Sequence, residues 1–454
     1  MASAAEQLAA NMSFSTFSKA KDLKRRLWFT LFALIVYRIG TYIPIPGINT
    51  EHFAAAFQKQ SEGVLGLFNM FSGGAVERLA IFALGIMPYI SASIIMQLVT
   101  SIHPHLEQLK KDGEHGRKII NQYTRYSTVI LGSLQAYGIA ASLQSSDGLV
   151  LNPGLFFILT TVLTLVGGTI FLMWLGDQIT ARGIGNGISL IIFSGIVAAL
   201  PTAVAQLMDA GSTGAISTLT QLGVLLSIVI LISLIIVIER AQRRLLVQYP
   251  KRQVGNKMFQ GDTSHLPLKI NTSGVIPAIF ASSLLLLPTT ITGFSGLEGH
   301  SGWINIVNTF LGRGQWGYLI FYGSMIVFFS FFYTALVFNP TETADNLKKH
   351  GGFIIGIRPG ERTAKYIDYV LTRITVLGSL YLVFVCLLPE IFLTGLGISV
   401  FLGGTSLLIV VNVTMDTVSQ IQSHLFAQQY EGLIKKSSLR SPKRSRKKGA
   451  KRKK

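Results

Sequence analysis

One cysteine, Cys386, stands in the 454 residues, so no intramolecular disulfide framework can hold this chain together. Charge is scarce too. Asp, Glu, Lys and Arg supply 13% of the residues, against about 25% in a typical soluble domain, so much of the surface cannot face water. The eight histidines are scattered, and no metal-ligand spacing occurs. No G-x-x-x-x-G-K-[ST] run is present, which excludes nucleotide hydrolysis through a P-loop. The nearest glycine-rich run, Arg182-Gly183-Ile184-Gly185-Asn186-Gly187, lies between two apolar helical segments with no strand before it, and reads as a tight turn. The opening residues do not read as a cleavable signal peptide, because the first long apolar run follows mixed charge and extends too far.

What the chain has in quantity is apolar side chain. Hydrophobic residues make up 49%, mean hydropathy is +0.48, and there are 45 glycines, a composition suited to close helix packing in lipid. The net charge of +19 is concentrated: Glu431 to Lys454 hold twelve Lys/Arg and one acid. A bilayer core about 30 Å thick needs roughly 20 apolar residues per helix. Runs of that kind predict ten spans, near 27–43, 79–101, 125–143, 154–175, 187–206, 218–238, 273–291, 316–338, 369–388 and 395–415.

Short cytoplasmic loops collect Lys and Arg. Here the N-terminal segment carries Lys19, Lys21, Lys24, Arg25 and Arg26, and the second connection Lys110, Lys111, Arg117 and Lys118. The sixth carries Arg240, Arg243, Arg244, Lys251, Arg252 and Lys257; the eighth carries Lys348, Lys349, Arg358, Arg362 and Lys365. The intervening loops are poor in base, so both termini are expected inside the cell. The sixth and eighth loops exceed what topology needs, which suggests docking surfaces. The expected organisation is a cytoplasmic segment at 1–26, a first half at 27–206, an external hinge at 207–217, a second half at 218–415 and a basic tail at 416–454.

Ionisable residues within a membrane usually mark ion or proton pathways. The central stretches of spans two to ten hold essentially none; Arg38 and Asp416 lie towards span ends. Whatever passes through is therefore driven by a partner or by the membrane potential. The apolar segment 64–74 is too short to span and ends in Gly73-Gly74. It suits a re-entrant half-helix beside a watery pathway, and equally an amphipathic helix on the outer surface. Pro88, Pro201, Pro277 and Pro389 fall within or beside spans, where proline weakens continuity. Ile86 and Ile90 form an i,i+4 pair that fits a dewetting constriction, or simply lipid or a helix neighbour.

Several blocks together resemble the SecY family, the channel subunits of the bacterial protein translocon. They are Tyr42-Ile43-Pro44-Ile45-Pro46-Gly47, Phe68 to Gly74, Ile81 to Ile95, Gly183 to Gly187, Val275 to Ala281, Ile357 to Ile367 and Gly403 to Val410. The resemblance implies an all-α, polytopic transmembrane helix bundle of two inverted halves of five spans, without catalytic residues, metal or cofactor. It implies a plug half-helix at 64–75, with Leu67, Phe68, Asn69, Met70, Phe71, Ser72, Gly73 and Gly74. It implies a pore ring of Ile86, Ile90, Ile192, Ile279 and Ile409, and lateral-gate positions at Ser91, Gln135 and Asn271. Docking for the motor ATPase SecA or the ribosome falls on Arg358, Pro359, Gly360 and Arg362 with Arg243, Arg244, Lys251 and Arg252. The further partners implied are small membrane subunits of SecE and SecG type, preprotein signal sequences and a second copy of the chain, in the bacterial cytoplasmic membrane. The tail from about Lys435 extends past the matched blocks; its composition reads as disordered, and anionic lipid or ribosomal RNA could hold it. A secondary transporter remains the rival from another class, but it calls for the intramembrane charges that are missing; a scaffold has no use for a plug.

Overall fold

The computed structural model describes residues 21–50, 52–54, 57, 69–145, 148–214, 217–250, 252–254, 257–259, 263–294, 315–395 and 403–440. The helices are α1 (Lys21–Gly40), α2 (Met87–Ile102), α3 (Pro104–Lys111), α4 (Glu114–Ser145), α5 (Leu155–Arg182) and α6 (Gly187–Ser212), then α7 (Thr218–Arg240), α8 (Ile276–Phe294), α9 (Trp316–Val337), α10 (Pro340–Lys349), α11 (Glu361–Gly395) and α12 (Gly404–Arg440). Each of the ten expected spans overlaps one of these, with 396–402 of the tenth outside the described residues; α3 and α10 are short polar helices in the second and eighth connections. Among the described residues five segments are long and apolar enough to cross a membrane: Leu155–Arg182, Gly187–Ser212, Thr218–Arg240, Trp316–Lys349 and Glu361–Phe392. α7 exposes Leu222, Leu226, Val229, Ile230 and Val237, a row that only lipid or another apolar surface can cover.

The second span departs from expectation. Residues 79–86 form turns, with Ala80 bridged to Pro44, and regular helix begins only at Met87. The 16 residues of α2 rise about 24 Å, less than a bilayer core, and the turns supply the rest. Pro88 and Pro277 also differ from the reading above. Each sits in the first turn of its helix, where a missing N–H costs nothing, whereas Pro201 and Pro389 lie inside α6 and α11. The hinge is shorter than 207–217, because α6 continues to Ser212 and the Ser217 side chain already caps α7. α12 runs to Arg440, so Lys435 to Arg440 are helical rather than the start of a disordered tail; Leu67, Phe68 and Lys251 lie outside the described residues.

α2 packs on α4 and α4 on α5; α8 packs on α9, α9 on α11 and α11 on α12. The halves meet along two seams, α8 against α2 and α4 on one side, and α6 against α7 and α12 on the other, with α1 also touching α12. The seam-side α2 lies close on α4: a Cβ on Gly132 would be 3.7 Å from the Pro88 ring.

The sixth and eighth connections are not loose loops. β1 (Gln242–Gln248) pairs antiparallel with β4 (Thr263–Lys269), and β5 (Phe353–Ile354) adds to the other edge of β1; β2 (Arg252–Val254) and β3 (Lys257–Phe259) form a separate ribbon at the tip. Leu245 and Val247 alternate inward and bury with Leu268, Ile354, Ile367 and Val370. The sheet was not legible in the sequence, but it binds the two basic connections into one body.

The glycine-rich run is the tight turn expected. Gly185 has φ +89°, and the Asn186 side chain caps α6 by accepting from the Ile188 and Ser189 amides. The amides of Ile184, Gly185 and Gly187 donate to Thr30, Gln420 and Thr180, so they are committed to the chain itself. A Cβ on Gly187 would collide with the Gly176 carbonyl oxygen, which is backbone and cannot swing away. Gly187→Val should therefore cost about 3 kcal/mol or more through overpacking and backbone shift; monodisperse yield in mild detergent near that of the parent would refute this.

Candidate functional site

The isoleucines converge. Ile86 and Ile90 come from the entry and first turn of α2, Ile192 from α6 and Ile279 from α8. All four line one cavity of about 20 Å³, together with Phe71, Ser72, Leu84 and Met87. Ile86, Ile90 and Ile192 are buried, and Ile279 is half-buried. Ile409 is 1% exposed in the same apolar core but does not line this cavity. The lining is mostly hydrocarbon, with Tyr37, Ser72 and Ser282 its polar members, so water finds few hydrogen-bond partners there.

Phe71 and Ser72 close the throat from one end, where residues 69–71 are helical and the chain then turns through Gly73 and Gly74, both at positive φ (+70° and +84°). Asn69 ties this turn to the following residues: its carbonyl accepts from the Gly74 amide at 2.8 Å, and its side-chain oxygen accepts from the Glu77 amide at 3.0 Å. Met70 and Ser72 are buried, and the Ser406 hydroxyl of α12 points at the Met70 sulfur, 3.5 Å away. The other face of the turn borders a second cavity of about 390 Å³, whose walls include Arg38, Asn69, Gly73, Gly74, Glu77, Arg78, Gln206 and Ser406. A largely apolar throat and a polar vestibule thus share one thin partition, residues 69–74.

Along the α2/α4–α8 seam, Ser91 is buried and Gln135 is half-buried with its side-chain oxygen unpartnered, while Ser283 of α8 reaches the Met87 sulfur at 3.9 Å. Asn271 sits in the turn before α8, where its amide donates to the Glu239 carboxylate at 2.6 Å and to the Gly274 carbonyl at 3.1 Å. Glu239, buried at the end of α7, escaped the sequence reading; its signal was an acid at the edge of a run that is otherwise basic. Ionisable groups lie just beyond two of the expected spans. α5 carries Asp177, ion-paired with Arg125 of α4 at 2.5 Å, and α11 carries the buried Glu390.

At the opposite end of the bundle from the throat's partition, Arg358 and Pro359 are exposed beside Gly360, whose φ of +109° makes the turn into α11. Thr363 donates to the Arg358 carbonyl at 3.0 Å, fixing that turn. Arg362 is exposed as well, while Glu361 is engaged by Lys365 at 2.8 Å, which holds its carboxyl below the usual range. Among the described residues neither Arg358 nor Arg362 has an acidic partner. Arg243 and Arg244 are exposed on β1, and the Val247–Ile354 pairing joins that strand to the Arg358 connection. Arg252 lies on the β2–β3 ribbon.

Known proteins resemble this chain in sequence and in overall fold. The SecY family model matches residues 80–418. The chain is similar to the protein translocase subunit SecY of Rickettsia bellii, with 53% identity over 435 residues, covering 95% of this chain and 100% of the relative. Its fold is similar to that of a solved protein-conducting channel, with a TM-score of 0.63 at 18% identity over 88% of this chain and 92% of the other. It is also similar to Sec61 in the canine ribosome–channel complex of the endoplasmic reticulum, with a TM-score of 0.60 at 17% identity over the same shares. Matched over most of its length and more than half identical to a translocase subunit, this chain belongs to the SecY family and is a membrane-embedded, non-enzymatic channel component of the Sec translocon.

Proposed function

We propose that unfolded preproteins pass through the throat ringed by Ile86, Ile90, Ile192, Ile279 and Ile409, and that residues 64–75 plug it at rest. The observation that carries this reading is the convergence of four of those isoleucines, with Phe71 and Ser72 against them, on one cavity of about 20 Å³. An aliphatic collar deforms around any side chain and offers no hydrogen bonds to hold it. Apolar signal sequences part the seam between α2/α4 and α8/α9, releasing membrane segments sideways into lipid. Ser91 and Gln135 supply polar contacts there, worth about 0.6 kcal/mol each, which suits a seam that must open.

Driving force comes from outside the chain. Arg358, Pro359, Gly360, Arg362, Arg243, Arg244, Lys251 and Arg252 dock SecA or a translating ribosome, since guanidinium groups pair bidentately with carboxylate and phosphate alike. The sharing of this fold with a ribosome-bound channel supports that choice. SecE- and SecG-type subunits cover apolar surface such as that of α7. The basic connections put both termini and the docking face in the cytoplasm of a bacterial cell, and anionic lipid holds the tail. Deleting residues 65–74 tests the plug: planar bilayers holding the purified complex should conduct small ions at rest, and unchanged resting conductance would reject it.

A further inference from the structure

We propose that Tyr37 and Arg38, at the end of α1, are a catch that holds the plug shut through its backbone; the proposal rests on the plug reading above. The turn at Gly73-Gly74 leaves two carbonyl groups outside any helix or strand. Buried carbonyls need donors, and both find them on α1. The Tyr37 hydroxyl donates to the Ser72 carbonyl at 3.1 Å, and Arg38 Nη1 donates to the Gly73 carbonyl at 2.6 Å. A third element sets the approach: a Cβ on Gly195 of α6 would lie 2.9 Å from the Phe71 carbonyl oxygen and 3.1 Å from the Gly73 nitrogen, so only glycine admits the turn this closely.

The catch is itself held. Tyr37 is 1% exposed and stacks on Phe82, with centroids 6.1 Å apart. Arg38 also donates through Nη2 to the Tyr42 hydroxyl at 3.1 Å, and Arg78 lies over the same Tyr42 ring, 4.1 Å from its centroid. The guanidinium is therefore aimed before the plug arrives. Arg38 also borders the polar cavity of about 390 Å³, where water can solvate it once the plug leaves, so release is reversible. Because both acceptors are backbone oxygens, the catch is blind to the plug's side chains and tolerates changes in them. This gives Arg38, the charge that found no role as an ion-coupling group, a positioning role for the closed state.

Purified channel complexes carrying Arg38→Gln, Arg38→Lys, deletion of 65–74, or Arg38→Gln with the deletion would be compared for resting conductance in planar bilayers. Loss of one charge-assisted hydrogen bond predicts a roughly tenfold rise in resting open probability for Arg38→Gln, with a smaller rise for Arg38→Lys, and no further rise when the deletion is already present. If the deletion leaks while Arg38→Gln stays at parental conductance, the catch is wrong and the plug stands. If Arg38→Gln adds to the deletion, Arg38 acts on α1 packing and the catch is overturned. If the deletion does not leak, the plug reading falls first. Should Arg38→Gln fail to give folded complex, Tyr37→Phe, which removes only a hydroxyl, decides: a raised resting conductance supports the catch and parental conductance overturns it.

Discussion

Arg358→Glu should abolish preprotein export while leaving the channel folded and inserted. The side chain is exposed on a turn fixed by the Pro359-Gly360 backbone and by Thr363, so reversing its charge removes no internal contact of the described structure. Removing one member of a hydrogen-bonded charge pair at an interface costs about 2–5 kcal/mol, or roughly 30- to 5,000-fold in affinity. Reversal adds repulsion from whatever carboxylate or phosphate it met. Arg362→Glu should do less, because Lys365 and Glu361 already pair on the next turn and dilute the local field. The measurement is SecA-driven translocation into proteoliposomes, together with monodispersity in mild detergent. Parental export by a well-inserted Arg358→Glu channel would remove this turn from the docking site.

How much of this was readable beforehand follows from the physics of each signal. Span positions are carried by composition alone, since lipid demands long apolar runs, and each run found overlaps a helix among the described residues. The family blocks carried the isoleucine ring, which periodicity could not separate from lipid-facing residues; the shared cavity now does so for Ile86, Ile90, Ile192 and Ile279. The break at 79–86 was hidden because its residues are as apolar as helix. It is turn because Ile45 and Ile81 exchange backbone hydrogen bonds with Leu79 and Ile43, a tertiary pairing no local pattern reports.

Charge patterns misled in a different way. Arg243 and Arg244 read as loop because β1 is only seven residues long and half polar; its partners are β4, in the same connection, and β5, a hundred residues on. Asn271 matched a gate position from the family blocks, and its amide donates to Glu239, a partner those blocks do not name. A lone acid among basic residues is the visible half of such a pair. The other half is fixed only when α7 and the turn before α8 meet.

Replacing the four throat isoleucines, Ile86, Ile90, Ile192 and Ile279, with serine should give the other large effect, and its pattern separates collar from plug. Resting conductance should rise modestly, because residues 69–74 still close one end of the throat and their backbone contacts to Tyr37 and Arg38 do not involve the collar. On the proposed reading, a preprotein stalled in the pore displaces the plug and leaves the collar alone to seal. Serine is small enough to leave gaps around the chain and polar enough to keep water in them, so the dewetting barrier is lost. Ion flux through the stalled complex should then exceed that of the parent severalfold, while translocation itself continues, since a wider throat does not obstruct an unfolded chain. The deletion of 65–74 should show the reverse, a leak at rest that falls when a substrate fills the collar. Planar-bilayer currents with and without stalled substrate measure both. Equal currents for the serine variant and the parent under stalled substrate would mean that the seal lies elsewhere than this ring.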